Sequence, residues 1–140
     1  MQRNRQLKGK PIDKMLLRLN AVRADQTNSA RRLQKDLKEL EDSPIPLVGV
    51  SARPLSSNLF LWHGNIRGPD GTPFEGGVFH IEIQFPPDYP VSPPTIRLFT
   101  PIPHPNVLGD TNICLDILET KEKQIYQGWT SAYTVETILI

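Results

Sequence analysis

From residue 12 to residue 41 the apolar side chains recur every three to four positions, and from residue 47 onward they recur every two. Ile12, Met15, Leu16 and Leu19 stand at i, i+3, i+4 and i+7, which predicts a short amphipathic helix over residues 12–22. The polar run Asp25-Gln-Thr-Asn28 is expected to break it, and Ser29 to cap a second helix with Ala30, Leu33, Leu37 and Leu40 along one side. Pro44 and Pro46 end that helix. Four stretches then read as strands: 47–52, 59–66, 78–85 and 95–99. The third alternates most cleanly, with Phe79, Ile81, Ile83 and Phe85 on one face and His80, Glu82 and Gln84 on the other. Turn residues at Gly68-Pro-Asp-Gly71 and Gly76-Gly77 join successive strands too briefly for helical crossovers, so the strands form an antiparallel meander. The expectation is an α+β fold: an N-terminal helix packed on a four-stranded antiparallel meander sheet, then an irregular active-site loop and the start of a second helix.

Eight of the 14 prolines fall at positions 86–105, so the chain there is stiff, cannot continue a central sheet and must run as an ordered loop. After it, Thr134 precedes Val135, Ile138 and Leu139 at helical spacing.

Composition narrows the function classes. At 140 residues and 38% hydrophobic content the chain is sized for one domain with its own core. Cys114 is the only cysteine, which excludes an internal disulfide, and with three histidines no clustered zinc-type spacing exists, so no metal is expected. No apolar run approaches the ~20 residues of a membrane span, no secretory h-region opens the chain, and a cytoplasmic or nuclear location is expected. The net charge of +1 is uneven: residues 1–27 carry seven basic and two acidic side chains, a basic extension of +5, and residues 28–140 carry −4. That extension lacks an aromatic residue for base stacking, so no nucleic-acid partner is expected. No Gly-rich phosphate cradle is present either, and no cofactor is expected.

The candidate chemistry is at Cys114. Alone among Ile113, Leu115 and Ile117 it reads first as a small buried hydrophobe. No Lys or Arg lies within six residues, while Asp116 is acidic, so no neighbouring cation in the sequence would favour a thiolate.

The wider pattern changes that reading. Phe85-Pro-Pro-Asp-Tyr-Pro90-x-x-Pro93-Pro94, then His104-Pro105-Asn106, then Ile113-Cys114-Leu-Asp116, with Trp129 beyond, resembles the ubiquitin-conjugating enzymes. The resemblance begins near Ser29, passes through Leu59-Phe-x-Trp62 and Gly76-Gly-Val-Phe79, and covers about four-fifths of the chain. It implies a UBC-fold domain over residues 28–140 behind the 1–27 extension. Cys114 would be the nucleophile that carries ubiquitin as a thioester. Asn106 would supply an amide that stabilises the oxyanion or holds the adjacent loop. His104, Pro105 and Asp116 would shape that loop. The partners implied are ubiquitin, a ubiquitin-activating enzyme and a ubiquitin ligase. Arg31, Arg32 and Lys35 on the helix, Val91 in the proline loop and the Ser131-Ala132 turn mark the implied docking surface, and Ser51 marks a sheet face for a second, noncovalent ubiquitin.

This sequence departs from the family pattern at several points. Val91 stands where an aromatic residue is frequent, and Trp129-Thr-Ser-Ala132 lacks the usual proline. Thr111 replaces a turn glycine, with Gly109 placed to serve that turn instead. The polar run Glu119–Gln124 lengthens one wall of the groove. The chain stops at Ile140, inside the second helix, which carries an expectation of self-association through an uncovered sheet face. A noncatalytic adaptor on the same fold is the alternative function.

Overall fold

The computed structural model describes residues 14–44, 47–109, 111–120 and 128–140, with the side chains of 14–25 left out. Most of the basic extension and the far part of the 119–128 insert therefore lie outside the described residues, as does the apolar face expected over 12–22. Helix α1 (Lys14–Asp42) is followed by β1 (Val50–Leu55), β2 (Asn58–Arg67), β3 (Val78–Gln84), β4 (Thr95–Leu98), β5 (Val107–Leu108) and β6 (Asn112–Ile113). A 3₁₀ turn (Asp116–Leu118) and helix α2 (Val135–Leu139) complete the order. No helix among the described residues is long and apolar enough to cross a membrane.

Two expectations are corrected here. The helix does not break at Asp25–Asn28; α1 runs unbroken through 29 residues. Asp, Thr and Asn cost only a few tenths of a kcal/mol each in a helix interior, and neither Gly nor Pro occurs between Lys14 and Asp42. Ser29 is accordingly no cap: it is buried in mid-helix, and its Oγ donates to the Pro87 carbonyl at 2.6 Å, tying α1 to the proline loop. Among the described residues the sheet has six strands rather than four, in the order β1-β2-β3-β4-β6-β5. The first four form the antiparallel meander, and the two-residue strands β5 and β6 extend it through the pairs Ile96↔Ile113 and Arg97↔Asn112. Strands of two residues are too short to show periodicity. β1 also runs past Ala52 through Pro54, which an edge strand tolerates because its outer N–H groups need no ladder partner.

The inward face of the sheet presents Trp62, Ile81, Ile83 and Ile96, and α1 lays Leu33 and the partly buried Leu37 and Leu40 against them. From this core a series of ring contacts leads outward: Trp62 to Phe85 (centroids 5.6 Å), Phe85 to Tyr89 (4.8 Å), Tyr89 to Trp129 (6.0 Å) and Trp129 to Tyr133 (5.7 Å). The indole N–H of Trp129 donates to the Pro90 carbonyl at 2.8 Å, which fastens the proline loop to the segment before α2. Thr134 caps α2 in a reciprocal pair with Thr137, and Val135, Ile138 and Leu139 are buried. A five-residue helix cannot hold itself in water, so this packing is what maintains it.

Asp36 is a buried carboxylate in this core. Its Oδ1 accepts from Arg32 Nε at 2.8 Å and its Oδ2 from the Tyr89 hydroxyl at 2.7 Å. Burial, and secondarily the bond to Asp36, pushes the Tyr89 hydroxyl far above its ordinary range, so it stays protonated and donating. Tyr89→Phe leaves one buried carboxylate oxygen without its partner and should lower stability by about 1–3 kcal/mol. Urea denaturation checks this; an unchanged midpoint would mean that water replaces the hydroxyl at no cost.

Candidate active site

The stretch after β4 builds the site by folding back on the sheet edge. Gly109, at φ 56°, occupies the left-handed conformation that turns β5 into β6, a conformation that a residue with a Cβ adopts at a cost. The positive-φ glycine thus stands two positions before Thr111, in the shifted place expected from the sequence. The hairpin brings Asn106 beside Cys114, and the two residues clasp each other: Cys114 N–H donates to the Asn106 carbonyl at 2.7 Å, and Asn106 Nδ2 donates to the Cys114 carbonyl at 3.1 Å.

His104 sits at the start of the same turn. Its Nδ1 accepts from the Asn106 backbone N–H at 3.0 Å, and its carbonyl accepts from Val107 N–H at 3.0 Å. As an acceptor, Nδ1 is unprotonated, so the ring proton is on Nε2. Pro105 is exposed between them. Leu115 continues in extended conformation, and the 3₁₀ turn then reverses the chain, with exposed Asp116 accepting from Ile117 N–H at 2.8 Å.

That reversal adds a group the sequence reading did not single out. Glu119 returns to the thiol, with Cys114 Sγ directed at Glu119 Oε1 across 3.9 Å. Its carbonyl accepts from Trp129 N–H at 2.7 Å, so the insert's first residue is held at both ends. Spacing alone gave no signal for this, because neither a helical nor a strand period puts residues 114 and 119 together.

Cys114 is partly exposed. An amide NH₂ offers two donor hydrogens. One on Asn106 is committed to the Cys114 carbonyl, which leaves a second donor hydrogen on the exposed amide. Beside the loop lies an apolar hollow of about 210 Å³, lined by Ile66, Phe79, Leu98, Ile102 and Val107, with Asn106 at its edge.

The residues expected to face partners divide. Arg31 and Lys35 are exposed on α1, Lys35 paired with Glu39 at 3.6 Å. Arg32 turns inward: besides Asp36 it donates to the carbonyls of Ser131 (2.8 Å) and Tyr133 (2.7 Å), and its guanidinium lies over the Tyr89 ring. It therefore joins α1 to the Ser131-Ala132 turn. Val91 is 72% exposed, and Ser131 and Ala132 are exposed. Ser51 is exposed on β1, on the outer face of the sheet opposite Asn65.

Residues 32–140 match the family model described as Ubiquitin-conjugating enzyme. The chain is 41% identical over 113 residues to Ubiquitin-conjugating enzyme E2 1 of Caenorhabditis elegans, an alignment that covers 81% of this chain and 54% of that protein. The chain therefore spans about half the length of that relative. Human ubiquitin-conjugating enzyme E2 G1 superimposes with a TM-score of 0.69 at 37% identity, over 79% of this chain and 87% of that structure. By the extent of these matches and by the α+β fold it shares with them, the chain belongs to the ubiquitin-conjugating enzyme family.

Proposed function

We propose that Cys114 accepts ubiquitin as a thioester from an activating enzyme and passes it to a lysine amine, with a ligase positioning the acceptor. The observation that carries this reading is a partly exposed Cys114 whose backbone is clasped on both sides by Asn106. In the first step the Cys114 sulfur, losing its proton, attacks the carbonyl carbon of the activating enzyme's thioester; the incoming C–S bond forms, the old one breaks, and the departing thiol takes up a proton. In the second step an amine attacks the new thioester, an isopeptide bond forms and the Cys114 thiol is released. Exchange between thioesters is nearly isoenergetic, so the protein's contribution lies in positioning and in stabilising the oxyanion. The carboxylate of Glu119 sets negative charge beside the thiol, which draws a lysine ammonium toward it.

The surface that would receive the activating enzyme and ligase runs along exposed Arg31 and Lys35, Val91, and Ser131-Ala132. Arg32 and Trp129 hold these three segments together through their bonds to Ser131, Tyr133 and Pro90.

Single-turnover discharge tests the proposal. Preloaded protein should lose ubiquitin to free lysine, and Asn106→Ala should slow that discharge by about 10²–10³-fold if the amide is the oxyanion donor. Loading should suffer less, because the oxyanion donor matters most where an amine, rather than a thiol, attacks the acyl carbon. A protein that never loads would contradict the proposal; a variant that loads and discharges at the wild-type rate would limit Asn106 to holding the loop.

A further inference from the structure

Glu119 opens the polar run Glu119–Gln124 in which this chain departs from the family pattern, so no role comes to it from the resemblance. Its backbone is fixed on both sides: its N–H donates to the Asp116 carbonyl at 3.1 Å, and its carbonyl accepts from Trp129 N–H at 2.7 Å. Leu118 before it is buried, and so is Trp129, whose indole is tied to the Pro90 carbonyl. From this anchored position the half-buried side chain brings Oε1 to within 3.9 Å of Cys114 Sγ.

Its charge is not matched as the charges of comparable carboxylates are. Among the described residues, the other carboxylates that are buried or half-buried each meet an arginine or a hydroxyl: Asp36 meets Arg32, Glu82 meets Arg97, Asp88 meets Ser92 and Glu136 meets Ser43. The donor that Glu119 meets among those residues is the Cys114 thiol, and an S–H is a weak donor. Loading removes even that hydrogen, because the acyl group takes its place on sulfur. The carbon that an acceptor must then attack is bonded to the same sulfur, so an incoming nitrogen arrives within reach of Oε1.

Resting on the thioester reading above, we infer that Glu119 binds the ammonium group of the acceptor and makes the site selective for aliphatic primary amines over uncharged or anionic nucleophiles. A lysine amine, with an ordinary pKa of about 10.4, is cationic at neutral pH. Paired with Oε1, it stands at the thioester carbon. The ammonium gives one proton to water, the nitrogen lone pair forms the N–C bond, the C–S bond breaks, and the second proton shed by nitrogen ends on the Cys114 sulfur. A neutral thiol acceptor gains nothing from the carboxylate, and a thiolate is repelled by it.

Discharge of the preloaded full chain to two acceptors tests this. Wild type and Glu119→Gln are mixed with rising concentrations of free lysine or, separately, of β-mercaptoethanol, and single-turnover loss of ubiquitin is followed. Glutamine keeps the length of the side chain and the backbone bonds of residue 119 while removing the charge. The lysine concentration for half-maximal discharge should rise about 10-fold in the variant, the lower end of what charge focusing in a cleft supplies. Discharge to the thiol should not slow. Added salt should narrow the difference between the two proteins toward lysine, because it screens a partly exposed charge. Equal discharge to lysine by both proteins, or equal slowing toward lysine and thiol, would overturn the inference, the second because it reports only a disturbed site. A wild type that never loads would overturn the thioester reading and this inference together.

Discussion

Cys114→Ser, incubated with activating enzyme, ATP and ubiquitin, should accumulate an adduct that survives thiol reductant, whereas the wild-type adduct should disappear under the same treatment. The substitution removes one property and keeps the rest of the site. The bonds between Cys114 and Asn106 run through the backbone of residue 114 and so remain. An alkoxide is a poorer leaving group than a thiolate, and a hydroxyl a poorer nucleophile, so the oxygen ester forms slowly and persists. Transfer to lysine should fall below detection. Electrophoresis with and without reductant reads the result, and a serine variant that transfers ubiquitin at the wild-type rate would remove Cys114 from the reaction.

Arg32→Ala should lower stability by about 3 kcal/mol. Removing one partner of a buried ion pair typically costs about 3–5 kcal/mol, because the remaining charge is left in the interior without compensation. The lower end applies since Arg32 keeps 21% of its side chain exposed while the Asp36 side chain is fully buried. Against a total stability of about 5–15 kcal/mol this is a large fraction. The same change releases the carbonyls of Ser131 and Tyr133, so the turn before α2 should exchange its amide hydrogens faster. Lys35→Ala, which removes an exposed pair on the same helix, should shift stability by no more than about 0.5 kcal/mol. Denaturation of the two variants side by side decides the matter: equal losses would mean that Asp36 is stabilised by something other than Arg32.

The elements visible in the sequence are those whose burial repeats. Phe79, Ile81 and Ile83 alternate inward along β3, and Leu33, Leu37 and Leu40 mark the packed side of α1, because each faces one continuous core. Features decided by a single long-range bond were not visible. The polar run at Asp25–Asn28 resembles a helix end, and Ser29 a cap, but the helix continues and Ser29 spends its hydroxyl on Pro87. β5 and β6 escape notice because two residues carry no period. In the site, the Cys114 and Asn106 motifs are legible as residue types at a spacing. Glu119 reaches the thiol only through the 3₁₀ turn, and Arg32 turns inward because Asp36 and the carbonyls of Ser131 and Tyr133 lie beside it, a fact of packing that its neighbours in the chain do not encode.

The central claim is that ubiquitin is carried on the Cys114 sulfur, and intact-protein mass measurement addresses it directly. After incubation of the wild-type chain with activating enzyme, ATP and ubiquitin, the mass should rise by one ubiquitin less one water, reductant should restore the starting mass, and proteolytic mapping should place the bond on the peptide containing Cys114. An unchanged mass, or a gain that reductant does not remove and that maps to a lysine alone, would contradict it.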